Sequence, residues 1–342
     1  MNEKVFVLNI ASFYKVNLLS RLAAHGKVSA FFLDGSELGR HDDFFKKDSS
    51  FSSIYMSNSP LLKRVFVFMS LFLSRRKCDV VLGGWDKAFF WAIICCPLIR
   101  RARISLILES TTVESNIKGF RGILKKIFMA RVSKVYASGS RHGDLANQLS
   151  FKGKVVINCG VGVLEDEFDN IVHSGKENFV DKFLYIGRIS EEKNLFGLID
   201  AIRGAQKSID VIGDGESLDL LRDYAAGADV TFLGYKSRID LFKFLEENRY
   251  RGLILPSYRE TWGLVVEEAL AFGIPVIVTV NAGCFLDLVD SYHVGVGLNP
   301  WSVQSIIDAI HVMSGPQYNY YKSNAVNFSL ASKQERYVQS FL

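Results

Sequence analysis

The sequence predicts an α/β protein built from two Rossmann-like halves, each carrying a parallel sheet. Strand-like apolar runs alternate with helical stretches in two separate series, which implies parallel strands joined by right-handed crossovers. A polar stretch, Glu165 to Glu177, falls between the series. The length of 342 residues suits about two domains. The expected domains are residues 1–165 and 175–320, with a last helix over Ser329 to Leu342 packing back on the N-terminal domain.

In the first series Val5 to Ile10 reads as a strand, Asn17 to Ala24 as a helix and Val28 to Leu33 as a second strand. Val80 to Leu82, Ile104 to Leu108, Val135 to Ala137 and Val155 to Ile157 continue the strands. The pattern restarts with strands at Phe183 to Ile186, Ile209 to Ile212, Val230 to Leu233, Gly252 to Leu255 and Val276 to Val278. Leu195 to Ile202 and Leu218 to Ala225 are the helices between the first of these. Ligands of open α/β sheets sit at the carboxyl ends of the strands. The cleft between the two sheets is the expected site.

Composition narrows the function classes. Hydrophobic residues make up 49% and charged residues 23%, so a sizeable core is expected and disorder is not. The N-terminal MNEKVFVLNI lacks a signal-peptide cleavage pattern. The apolar run Ala88 to Ile99 is too short to span a bilayer and reads as a buried helix. The 5 cysteines show no metal or C-x-x-C spacing, which suits reduced thiols and a cytoplasmic setting. A net charge of +5 decides nothing by itself.

The stretch RETWGLVVEEALAFGIPVIVT, residues 259–279, carries the chemistry. The strand Gly252 to Leu255 leads into a loop, Pro256 to Trp262, and Gly263 opens a helix that Gly273 and Pro275 stop. That helix start presents free N–H groups from Leu264 and Val265, and its dipole favours an anion. Gly263, with no side chain, lets a phosphate approach the backbone. On a helical wheel Glu268 lies roughly 110° from the apolar centre and Glu267 roughly 150°. Glu268 therefore borders the core near the helix mouth, and Glu267 points to solvent. The alternative is that both are solvated helix glutamates near a favourable N-terminus.

These residues resemble a family. Glu260, Gly263 and Glu268-Ala269, followed by Gly273-x-Pro275-Val276, are similar to the E-x7-E signature of retaining GT-B glycosyltransferases of family 4. Gly187-Arg188 with Lys193-Asn194 resembles that family's G-R-x-x-x-x-K-N/G segment, Gly213-Asp214-Gly215-Glu216 its G-x-G-x loop, and Phe232-Leu-Gly234 its F-x-G. The resemblance implies a GT-B fold, two Rossmann-like domains facing a central cleft. Arg188 and Lys193 then grip the donor diphosphate, the backbone of Gly187, Gly263, Leu264 and Val265 adjoins it, Glu268 holds the ribose and Glu260 the transferred sugar. The base lies near Gly213, Gly234 and Tyr235. The two glutamates position the donor, unlike the acid and nucleophile of a glycosidase. The sequence has no D-x-D, so no metal and no cofactor are expected, and the two cations take the metal's place.

The N-terminal half resembles a bacterial polysaccharide and lipopolysaccharide subgroup, through Asn9 to Lys15, Gly83-Gly84-Trp85, Leu108 to Thr112 and Ala137 to Ser140. Glu109 is expected at the cleft, touching the acceptor or donor sugar; a strand-end cap or salt bridge is the other reading. Residues 59–77 and 118–134 interleave Lys and Arg with large apolar residues. They suit helices on an anionic membrane surface, or core-facing helices with snorkelling bases. No nucleic-acid motif accompanies them. The expected substrates are a nucleotide-sugar, UDP favoured over GDP, and a saccharide or lipid-linked acceptor at the inner face of the cytoplasmic membrane. The rivals are a sugar-nucleotide epimerase of the same fold, a nicotinamide oxidoreductase and a non-catalytic nucleotide-sugar-binding protein. An intact G-x-G-x-x-G is absent, which argues against the oxidoreductase.

Overall fold

The computed structural model describes residues 3–34, 41–56, 59–74, 78–96, 103–162 and 178–342. The chain divides into two compact units, Met1–Leu164 with Gln334–Leu342, and Glu165–Lys333. The polar stretch Glu165 to Glu177 lies outside the described residues.

In the first unit the order is β1 (Glu3–Leu8), α1 (Phe13–Ala23), β2 (Val28–Phe32), β3 (Ser52–Tyr55), α2 (Leu61–Ser74), β4 (Cys78–Leu82), α3 (Ala88–Cys95), β5 (Arg103–Leu108), α4 (Gly119–Met129), β6 (Lys134–Ala137), α5 (Ser140–Gln148) and β7 (Lys154–Ile157). The seven strands form a sheet in the order β3-β2-β1-β4-β5-β6-β7, with every pairing parallel. A parallel sheet covered on both faces needs apolar residues of both parities. In β1, Val5 and Val7 join one core cluster while Phe6 and Leu8 join the other. Phe68 of α2, Phe89 of α3, Phe128 of α4 and Leu145 of α5 fill the first cluster. Val16 and Leu19 of α1 fill the second, with Tyr337, Val338 and Phe341 from the chain's end. Phe341 stacks on Tyr136 with ring centroids 4.1 Å apart.

The second unit runs β8 (Asn178–Ile186), α6 (Leu195–Ala205), β9 (Ser208–Ile212), α7 (Leu218–Tyr224), β10 (Asp229–Gly234), α8 (Arg238–Glu247), β11 (Asn248–Leu255), α9 (Leu264–Ala271), β12 (Val276–Thr279), a π-helical turn (Phe285–Asp290), β13 (Gly295–Leu298), α10 (Val303–Ser314) and α11 (Tyr318–Val326). The last helix, α12 (Leu330–Phe341), carries the chain from this unit into the first. The strand order is β10-β9-β8-β11-β12-β13, again all parallel. From β8 the chain winds outward to β9 and β10, then returns to β11 on the other side of β8. The carboxyl ends of β8 and β11 therefore flank a topological switch point, where successive helices leave on opposite faces and a crevice opens.

Among the described residues each sheet has one strand more than the sequence pattern implied. The additions, β3 and β13, are edge strands of four residues. Neither has a continuous buried apolar run, because an edge strand is covered on fewer sides. Helix α1 starts at Phe13, four residues before the expected Asn17.

Candidate active site

Three glycines end the first three strands of the second unit. The Gly187 N–H donates to the Ile212 carbonyl, and the Gly213 N–H to the Gly234 carbonyl, both at 3.0 Å. These bonds continue the ladder past β8, β9 and β10 and close the strand ends into one backbone floor. The approach at Gly213 is so close that a Cβ there would lie 1.9 Å from the Gly187 carbonyl oxygen. Tyr185 is fully buried beneath, and its hydroxyl donates to the Arg188 carbonyl at 2.8 Å. Burial holds the Tyr185 phenol well above its usual pKa, so it stays a neutral donor. Tyr235, next to Gly234, is 41% exposed.

Arg188 leaves this floor half-exposed. Its Nη2 lies 3.3 Å from Glu192 Oε1, a surface pair of small energetic weight. Its Nε, and the Oγ of nearby Ser190, are buried without a hydrogen-bond partner among the described residues. Buried polar atoms are normally satisfied, so such a pair beside a backbone floor fits an anionic acceptor from a ligand. Lys193, at the end of the short 3-10 turn Glu191–Lys193, pairs with Glu260 at 2.7 Å. Both side chains are about 15% exposed, at 15% and 14%.

The Glu260 loop is held from several sides. The Tyr258 N–H donates to the Glu192 carbonyl at 3.0 Å, tying this loop to the Arg188 loop. Gly283 N–H donates to the Glu260 carbonyl at 3.0 Å and Cys284 N–H to the Trp262 carbonyl at 3.1 Å. The Asn194 amide donates to the carbonyls of Pro256 at 3.3 Å and Pro300 at 2.7 Å. The loops after β8, β11 and β13 thus share one buried crosslink. Gly263 then turns into α9 at φ +101°, a backbone angle that suits glycine. Leu264 and Val265 are the first residues of α9 and are half-buried.

Glu268 is buried, and its Oε1 accepts from Arg238 Nη1 at 2.8 Å. Glu267 overturns the wheel's expectation: it is 4% exposed, not solvated. Its Oε1 accepts a hydrogen bond from the Trp262 indole N–H. The wheel assumes one covered face, but α9 packs on β11, β12 and α11, and the buried Trp262 reaches back to it.

The structure therefore gathers Gly187, Arg188, Lys193, Gly213, Gly234, Glu260, Gly263 and Glu268 onto loops at the carboxyl ends of β8 to β11 and the mouth of α9. Glu109 lies in the first unit, at the end of β5, with Lys15 Nζ 3.1 Å from its Oε2. Burial works to depress the Lys15 ammonium, but the Glu109 charge and Tyr14 outweigh it and its pKa is raised. The Lys15 ammonium stays charged at neutral pH. Arg238 and Trp262 are the partners that sequence reasoning missed. Arg238 follows Gly234 by four positions and reads as an ordinary helix-start cation.

Residues 166–325 match the family model described as Glycosyl transferases group 1. The chain is 29% identical over 161 residues to a glycogen synthase of Mycobacterium tuberculosis, covering 44% of this chain and 38% of that relative. It spans about two fifths of the length of the first curated relatives it matches, at 38% and 42%. It is 24% identical over 277 residues to the capsular polysaccharide biosynthesis glycosyltransferase CapM of Staphylococcus aureus, covering 72% of this chain and 70% of CapM. Among solved structures it resembles the lipopolysaccharide outer core galactosyltransferase WaaB, with a TM-score of 0.74 at 13% identity, over 100% of this chain and 99% of that one. Anabaena Alr3699/HepE in complex with UDP and glucose is similar, with a TM-score of 0.72 at 14% identity and the same coverage. The fold class is the expected one, GT-B with two Rossmann-like parallel-sheet domains.

Proposed function

We propose that this chain, whose second unit carries a glycosyl transferases group 1 domain, is a retaining, metal-independent glycosyltransferase of family 4. It moves a sugar from a nucleotide-diphospho-sugar, UDP favoured over GDP, to a saccharide or lipid-linked saccharide in cell-surface polysaccharide or lipopolysaccharide synthesis. One observation carries the reading. At the switch point of the second sheet, a floor of strand-end glycines adjoins the buried Arg188 Nε and Ser190 Oγ, with Lys193 nearby. The N–H groups at the start of α9, a guanidinium and an ammonium suit a diphosphate.

In the reaction the bond from the anomeric carbon to the diphosphate oxygen breaks, the acceptor hydroxyl oxygen bonds to the same face, and its proton passes to the departing phosphate. The negative charge that develops on the departing phosphate is offset by Arg188, Lys193 and the N–H groups of Leu264 and Val265. Glu260 holds hydroxyls of the transferred sugar, and Lys193 fixes the carboxylate that does so. Glu268 accepts from the ribose hydroxyls. Gly213, Gly234 and Tyr235 adjoin the base. Glu109 is assigned to the acceptor or the donor sugar. The names of CapM, WaaB and the UDP-bound HepE structure support the substrate classes by likeness. Thermal shift with UDP-, GDP- and ADP-sugars in excess EDTA tests the reading. One of them should stabilise the protein, by about 2.7 kcal/mol at a hundred times its Kd. Stabilisation by none, or only after a divalent metal is added, contradicts it.

We also infer contact with an anionic membrane through the first unit. Leu62 and Phe66 of α2, and Phe120, Ile123 and Ile127 of α4, are each more than half exposed. The inner sides of the same helices fill one core cluster, so both cover the same face of the sheet. Neither 59–77 nor 118–134 contains an acidic residue. Residues 75–77 lie outside the described residues. Among the described residues no helix is long and apolar enough to cross a membrane, so the contact is a surface one. Phe120→Ser with Ile127→Ser should cut binding to vesicles containing anionic lipid at least about 10-fold, because each large apolar side chain contributes about 1.5–3 kcal/mol when buried. Unchanged vesicle binding in a sedimentation assay contradicts this.

A further inference from the structure

Arg238 belongs to none of the motifs that suggested the site, yet its Nη1 lies 2.8 Å from Glu268 Oε1. It is the first residue of α8, and Ser237 caps that helix by accepting from the Asp240 N–H at 3.3 Å. Its guanidinium carbon lies 4.9 Å from the Phe242 ring centroid, and Phe242 in turn lies 5.8 Å from the Phe272 ring. The helix start and an aromatic face thus fix the fork before it meets the carboxylate. The side chains of Arg238 and Glu268 are 19% and 8% exposed. Taking two charges out of water costs roughly what their attraction returns, so stability alone gives little reason for such a pair. A pair of this kind at the mouth of α9, one turn beyond Leu264, has a clearer use in orienting an acceptor.

We propose that Arg238 is a positioning residue for nucleotide binding. It holds the Glu268 carboxylate through Oε1, so that Oε2 accepts a hydrogen bond from a ribose hydroxyl. A carboxylate paired to a guanidinium offers only acceptors. It therefore favours a sugar that brings a hydroxyl over one that lacks it. Arg238 contributes to donor affinity by setting the direction of that acceptor, without touching the nucleotide itself. The inference rests on the nucleotide-sugar reading of the site.

The test compares Kd values of UDP, GDP and ADP with those of their 2′-deoxy and 3′-deoxy counterparts, by calorimetric titration of the full chain. Wild type should prefer one ribonucleotide over at least one deoxy counterpart by about 10–100-fold, the value of a hydrogen bond to a charged group. Arg238→Met keeps the apolar contact with Phe242 but removes the fork. It should weaken the ribonucleotide by a similar factor, leave the deoxy form nearly unchanged and bring the ratio to within about 2-fold. Arg238→Lys keeps the charge and should recover part of the ratio; it also supplies the reading if the Met variant fails to fold by circular dichroism. A wild-type ratio kept by the variants, whether both affinities hold or both fall equally, overturns the inference and leaves Arg238 a structural role. A wild type that binds nucleotides without preferring ribose overturns it too. A wild type that binds no nucleoside diphosphate defeats the nucleotide-sugar reading instead.

Discussion

Replacing Arg188 with alanine should lower kcat about 10²–10³-fold while leaving the fold intact, because in the proposed site it removes one cation aimed at charge that develops in the transition state. The two halves of this expectation have separate causes. Arg188 is only half buried, and its ion partner Glu192 is more than half exposed. An exposed pair contributes about 0–1 kcal/mol to stability, so circular dichroism and melting should match wild type. The Nε that lacks a partner among the described residues should find one in the departing phosphate. Lys193→Ala would be harder to interpret. It strips the partner from Glu260, whose side chain is 14% exposed, and leaves a largely buried charge uncompensated. Steady-state kinetics of Arg188→Ala with the nucleotide-sugar identified by thermal shift checks the prediction. A kcat within 3-fold of wild type would remove Arg188 from the machinery, with that ratio as the threshold for a meaningful electrostatic role.

Gly213→Ala should damage both the fold of the second unit and its nucleotide binding. Its Cβ would stand 1.9 Å from the Gly187 carbonyl oxygen, which is backbone and cannot swing aside. The φ of +148° is also one that alanine rarely adopts. The strands must separate at the floor, losing the Gly187 and Gly213 hydrogen bonds together. A cost of about 2–4 kcal/mol follows from combined strain and lost bonding. In a unit of this size that lowers Tm by roughly 4–15 °C. Nucleotide binding should fall with it, because the floor is the proposed phosphate and base contact. A Gly213→Ala protein with wild-type Tm and wild-type nucleotide affinity would contradict both the geometry and its use.

The position of the candidate site in the fold was largely legible because glycine, proline and charge punctuate the ends of strands. Gly187-Arg188 and Gly213 fall where apolar runs stop and follow the carboxyl ends of β8 and β9 in the structure, while Gly263 opens α9. The edge strands β3 and β13 were not legible, since a strand covered on fewer sides carries no continuous apolar run. Glu267 was misread for a related reason. A helical wheel sees only its own helix, whereas Trp262 reaches the Glu267 side chain that the wheel assigned to solvent. Arg238 and Asn194 act across 30 to 106 positions of sequence. Such contacts depend on which loops the topology brings together, and local spacing carries no trace of them.

The central claim is that the switch-point crevice of the second unit holds a nucleotide-sugar and releases its sugar with retention. Turnover of α-linked UDP-, GDP- and ADP-sugars in excess EDTA, followed by proton NMR of the first-formed sugar product, tests it most directly. One donor should be consumed, and the initial product should keep the α anomeric configuration. An initial β product, or consumption of none of the three, would contradict it.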